Sequence, residues 1–128
     1  MGTSMKGLLI GLFVALVAGC TSMPATVAPA RVADGRWVDT AGETLDTFDH
    51  DATGGGKSMC NGPCATSWPP LAAAADVKAS GDRGVIKRDD GSRQWAYKGK
   101  PLFTWIKDQK PGDTTGDGFN NAWRIARP

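Results

Sequence analysis

The chain is poor in the residues that carry most metal and acid–base chemistry. Its 128 residues include one histidine, one glutamate, one tyrosine and three cysteines. With His50 the only imidazole, a zinc centre is short of ligands. A Ser-His-Asp triad would have to recruit a histidine lodged between Asp49 and Asp51, with no nucleophile elbow nearby. Haem attachment needs a histidine directly after the second cysteine of a close pair, and Ala65 stands there. The lone Glu43 lies in a turn sequence, so no glutamate closes a calcium loop of the EF-hand kind, and no carboxylate pair stands out for glycoside chemistry. "DATGGGKS", Asp51 to Ser58, has an aspartate where a phosphate loop needs its first glycine. Long amphipathic helices are missing too. "LAAAADVKAS" is the one helix-friendly run, and it follows Pro69-Pro70 with weak periodicity. These shortages predict a protein that is not an enzyme and has no cofactor.

The N-terminus is informative. "MGTSMKGLLIGLFVALVAGC" has Lys6, an apolar run from Gly7 to Val17, and small residues before Cys20. The run is shorter than the roughly 20 residues needed to cross a bilayer. It has the layout of a signal peptide, residues 1–19. Val-Ala-Gly-Cys resembles the lipobox of bacterial lipoproteins, in which the cysteine is acylated and becomes the first mature residue. Cys20 is therefore the expected lipidation site and membrane anchor. Thr21, where an aspartate would mark inner-membrane retention, points to the outer membrane facing the periplasm. Residues 20–33, with Pro24, Pro29 and many small side chains, read as a lipidated N-terminus and flexible tether. The domain is expected over 34–128.

Setting Cys20 aside leaves Cys60 and Cys64 in "MCNGPCATSWPP". An even pair in an exported chain, spanning Asn61-Gly62-Pro63 turn chemistry, predicts a disulfide. The rival is a soft-metal site of His50, Met59, Cys60 and Cys64, with copper favoured by ligand softness. Charge is uneven. Asp39 to Asp51 holds five acids and no Lys or Arg, and Lys78 to Lys110 holds nine bases against four acids. Two solvated faces account for that, and an exported chain has no nucleic-acid partner to meet. The loop 108–121, rich in Asp, Asn and Gly, could seat a hard cation. Its spacing is better explained by tight turns in which Asp and Asn bond their own backbone.

The chain also repeats itself. "GETLDTFDHD", Gly42 to Asp51, aligns without gaps to "GKPLFTWIKD", Gly99 to Asp108, with Phe48 opposite Trp105. "DGRW" upstream answers "DGSRQW", and Trp68 and Trp123 each close a unit. Each copy has the alternation of a β-hairpin, clearest at Trp95, Tyr97, Phe103 and Trp105 around the Lys98–Pro101 turn. "RGVIKRD", Arg83 to Asp89, is a further strand candidate. The expectation is a mainly β, small single domain of two hairpin-type pseudo-repeats, about 34–71 and 83–128, with at most a short helical turn near the cysteine pair. Asp46, standing where Phe103 stands in the second copy, is expected at a more exposed edge.

"CNGPCATSWPPL", "GVIKRDDGSRQWAYKGKPLF" and "DQKPGDTTGDG", with both motif copies, resemble the predicted bacterial lipoproteins defined by a Yx(FWY)xxD motif, the secreted-repeat family of unknown function. The motif's tyrosine falls on Asp46 and Phe103, its aromatic on Phe48 and Trp105, and its aspartate on Asp51 and Asp108. The resemblance implies a membrane-anchored envelope lipoprotein without an established activity. With it comes a loose association with hydrocarbon utilisation, for which no residue here argues. A non-catalytic binding or structural module of unknown protein or small-molecule partner is the function expected.

Overall fold

The computed structural model describes residues 28–128, together with Gly2 and Gly11. The signal segment, Cys20 and most of the tether lie outside the described residues. Among the described residues, seven short strands, one short helix and one 3₁₀ turn make a mainly β domain. The strands are β1 Ala30–Ala33, β2 Arg36–Asp39, β3 Asp46–Phe48, β4 Arg83–Lys87, β5 Arg93–Tyr97, β6 Lys100–Pro101 and β7 Trp123–Ile125. Helix α1, Pro63–Ser67, carries Cys64, so the helical turn sits beside the cysteine pair as expected. "LAAAADVKAS" is irregular.

Turn chemistry sets the local structure. Asp34-Gly35 joins β1 to β2 and Lys98-Gly99 joins β5 to β6, with positive φ at all four residues. Such turns match the right-handed twist of the flanking strands. Gly99 is required twice over: φ is +79°, and a Cβ there would lie 2.7 Å from the Gly54 nitrogen. β1 corrects the expected domain start, because Ala30–Ala33, assigned to the tether, pairs antiparallel with β2 from Ala30↔Asp39 to Ala33↔Arg36. Arg31 and Ala33 flank an exposed Val32, too brief an alternation to separate from a linker by pattern alone.

The strands form three small antiparallel sheets, β1–β2, β3–β7 and β4–β5–β6. An isolated bridge at Asp46↔Phe103 joins the two motif copies at equivalent positions. Asp46 N–H donates to Phe103 O at 2.8 Å and Phe103 N–H to Asp46 O at 2.9 Å, so a pseudo-two-fold axis runs through this pair. Bonds on either side match. Leu45 N–H donates to Trp37 O at 2.9 Å and Leu102 N–H to Trp95 O at 3.0 Å. The closing segments, however, are exchanged. Trp37 N–H donates to Ala126 O at 2.9 Å, and Trp95 N–H to Leu71 O at 2.9 Å. Each hairpin is completed by the end of the other unit. The expectation that Trp68 and Trp123 each close their own unit is corrected accordingly.

Two clusters make the core. One comprises Ala30, Leu45, Leu102 and Ala126, with Trp37, Leu71 and Tyr97 against it. The other comprises Cys60, Trp68, Phe103, Trp105, Ala122 and Trp123, with Phe48 and Cys64 against it. Burying an apolar side chain of this size contributes roughly 1.5–3 kcal/mol.

Candidate functional site

The second cluster is a ladder of rings. Phe48 stacks on Trp123 at 4.4 Å, Trp123 on Trp68 at 3.7 Å, and Trp68 on Trp105 at 4.0 Å between centroids. The central pair is nearly parallel, its planes 2° apart. The pseudo-axis passes between them, so the ladder reads motif aromatic, closing tryptophan, closing tryptophan, motif aromatic. Stacked pairs add about 0.5–1.5 kcal/mol each beyond their burial. His50 lies 4.9 Å from Phe48 at one end, and Phe119 lies 4.8 Å from Trp105 at the other. A cleft of about 440 Å³ opens along the ladder, with Ser67, Asn120 and Cys64 also on its wall. Its inner surface is the buried tryptophans, and exposed His50 and Phe119 form its lips.

The motif aspartates lie outside the cleft and hold the loops that frame it. Asp51 Oδ1 accepts Met59 N–H at 2.6 Å, and Asp51 Oδ2 accepts Ser58 Oγ–H at 2.8 Å. Asp108 Oδ1 accepts Thr115 N–H at 2.9 Å and Thr115 Oγ1–H at 2.6 Å. Each aspartate also donates its own N–H back to the motif aromatic, Asp51 to Phe48 O and Asp108 to Trp105 O, both at 3.0 Å. The loop after Asp108 brings Gly116 against the ladder. A Cβ there would lie 2.6 Å from Trp68 Cη2. This loop is held by Asp–backbone bonds of the kind expected, including Gln109 N–H to Asp113 Oδ2 at 2.8 Å.

The disulfide Cys60–Cys64 forms, with Cα atoms 5.2 Å apart. It takes both thiols out of the alternative metal set with His50 and Met59. Met59 is 72% exposed, and among the described residues no three His, Cys, Asp or Glu side chains are grouped to hold a metal ion. Sequence reasoning missed Arg88, which is buried and fixes the disulfide loop to the second hairpin. Its Nη1–H donates to Gln94 Oε1 at 2.6 Å and its Nη2–H to Asn61 Oδ1 at 3.2 Å and to Cys60 O. Gln94 in turn donates to Leu102 O at 2.7 Å. A charged residue within "IKRDDG" gives no sign in sequence that two side-chain amides and the Cys60 carbonyl enclose it.

Asp46 corrects the expectation of an exposed edge. It is 1% exposed, and neither carboxylate oxygen has a hydrogen-bond partner. Burial, then the nearby Asp108 and Asp117, push its pKa up to about 8. Asp108 Oδ2 is likewise buried without a partner. Glu43 nearby is raised by burial and by Asp39 and Asp108. The acid-rich stretch seen in sequence is therefore partly enclosed rather than a solvated face.

A family model described as a secreted repeat of unknown function matches the chain twice, over residues 30–72 and 84–127. No curated protein and no solved structure matches the chain. The first match starts at Ala30, the first residue of β1, and each match contains one motif copy and one closing tryptophan. By two matched repeats that together span most of the chain, the protein belongs to this family of secreted repeats, with an extracellular or cell-envelope location.

Proposed function

We propose that the protein is a lipid-anchored envelope lipoprotein whose domain is a non-catalytic binding module, with the cleft along the ring ladder as its binding site. One observation carries this reading: a 440 Å³ opening walled by stacked tryptophans and a disulfide cysteine, with His50, Ser67 and Asn120 among the few polar side chains on its lining. Ligand sites of about 300–1,000 Å³ with apolar walls and few polar groups suit small molecules. The wall chemistry favours a flat, ring-bearing, mainly apolar ligand that slides between Phe119 and the Phe48–His50 pair. The activity proposed is binding, carried by the stacked rings of the cleft wall. The anchor follows from Val-Ala-Gly-Cys: Cys20 carries the lipid, and the outer membrane facing the periplasm is the surface that displays the domain.

Titration with the apolar probe N-phenylnaphthylamine, read by tryptophan quenching, tests the site. Phe119→Ala and His50→Ala should each weaken binding about tenfold with little change in melting temperature. Probe binding that ignores both substitutions would remove the cleft from consideration. Separately, Cys20→Ser should release the protein from membranes or leave it unprocessed. A variant that fractionates like the parent protein overturns the lipid anchor.

A further inference from the structure

We propose that a basic groove next to the anchored end of the domain is the surface by which it lies against anionic phospholipid headgroups. The groove measures about 320 Å³ and is lined by Thr47, Tyr97, Lys98, Lys100, Arg124 and Arg127 over a floor of β7. Four of these side chains are cationic, and the lining contains no acid. Among the described residues Lys98, Lys100 and Arg127 have no carboxylate within 4.0 Å, whereas Arg124 keeps one, Asp49 at 3.2 Å. Arg127 donates only to Gly35 O, at 3.4 Å, and the Lys98 ammonium lies 5.3 Å from the Tyr97 ring. An unbalanced cationic groove on an exported domain fits phosphate-bearing surfaces.

Position decides between such surfaces. Tyr97 forms one wall of the groove, and it also lines a small crevice with Pro29 and Ala30, where the chain arrives from the tether. Basic groove and anchored end therefore share a residue. The stretch between Cys20 and Ala28 reaches at most roughly 25–30 Å when extended, so this face stays within about one domain diameter of the bilayer. Half-buried Tyr97 suits such a boundary, since amphipathic rings favour the headgroup level. Backbone strain adds a further sign. Lys98 has φ 47°, in a turn position that Asn or Gly would occupy without cost, so the lysine stands there against local preference.

The inference rests on the lipid anchor proposed above, and its test is made without one. The mature chain from residue 20, carrying Cys20→Ser, is sedimented with vesicles of phosphatidylcholine containing phosphatidylglycerol. Binding should fall with added salt and vanish on phosphatidylcholine alone. Each groove cation removed should weaken it about fivefold, so Lys98→Asn with Lys100→Gln lowers it about 25-fold. Asn suits the turn, and the melting temperature should hold. Lys107→Gln with Lys110→Gln, an equal charge change at two exposed lysines that do not line the groove, should leave binding unchanged. Equal losses from both pairs would reduce the effect to net charge and overturn the groove. Calorimetric binding of free glycerol phosphate without vesicle binding would overturn the membrane as its partner.

Discussion

Asp46 shows how far one residue can depart from its apparent meaning. In sequence it is a polar replacement in an apolar motif, and polarity is an ordinary sign of exposure. The structure encloses it because its main chain is one half of the central bridge to Phe103, and a residue on the pseudo-axis has no route to solvent. Its pKa of about 8 against an ordinary value near 4 means that the folded protein holds a proton the unfolded chain releases. A raised acid pKa contributes most favourably below about pH 4, and stability is then lost as pH rises towards 8. The slope from this group is at most about 1.4 kcal/mol per pH unit. Asp46→Asn should abolish that slope: melting curves from pH 4 to 8 should converge at the acid end and favour the amide at the alkaline end. Parallel curves would mean that Asp46 stays ionised when folded. Both motif aspartates bond the backbone of the loops that follow them, yet they are not equal. Asp51 uses both oxygens, one for Ser58 and one for Met59, whereas Asp108 uses only Oδ1. Asp51→Asn must give up an acceptor, at about 1 kcal/mol. Asp108→Asn can keep its bonded oxygen and should cost less, an order that chemical denaturation of the two variants checks.

At the scale of elements, the parts visible in sequence were those that local chemistry dictates. The Lys98-Gly99 turn, the alternation of Trp95 and Tyr97, and the Cys60–Cys64 disulfide each depend on neighbours within a few residues. β1 was invisible because its identity comes from pairing with β2, and β6 is a strand only through its contact with β5. The composition of the loop 108–121 predicts tight turns, and it forms them, but its docking on the ladder has no sequence signal. Gly116 makes that docking possible. It lies with φ outside the left-handed region, so the glycine is there for space, with Trp68 on one side and Trp105 Cδ1 3.2 Å away on the other. A methyl group at 2.6 Å from a buried indole must push the loop or the ring aside, which in a close-packed core costs about 1–3 kcal/mol. Gly116→Ala should therefore lower the melting temperature and redshift tryptophan emission as the ladder loosens. An unchanged spectrum and melt would show that the loop yields freely and does not brace the ladder. Gly118, with φ 79° and open space around it, serves the backbone instead, and its replacement by Asn should be better tolerated than by Ala.

For the whole molecule, two copies of a motif were legible in sequence, but not the way they are joined. Equivalent positions fix a repeat; only tertiary pairing says which closing segment belongs to which hairpin. Here the segments cross: β3 pairs with β7, Phe48 stacks on Trp123, and Trp105 stacks on Trp68. Neither half contains its own second wall. Residues 30–72 alone would lose β7, Trp123 and Trp105, leaving Phe48 and Trp68 without the tryptophans they stack on. Residues 84–127 alone would lose β3, Trp68 and the disulfide. Each piece is also about 40–45 residues, a size at which a single core seldom suffices without further support. The prediction is that each half made separately is unfolded, with collapsed amide dispersion in its NMR spectrum. Mixed in equal amounts, the halves should recover part of the native spectrum, because the Asp46↔Phe103 bridge and all three ladder stacks lie between them. Trp68→Ala in the first half or Trp123→Ala in the second should prevent that recovery, since both indoles form the stack on the pseudo-axis. A half that folds alone, with a cooperative melt, would show that the exchange of closing segments is a late embellishment on two independent hairpins. The cleft would then have to be sought within one unit rather than between two.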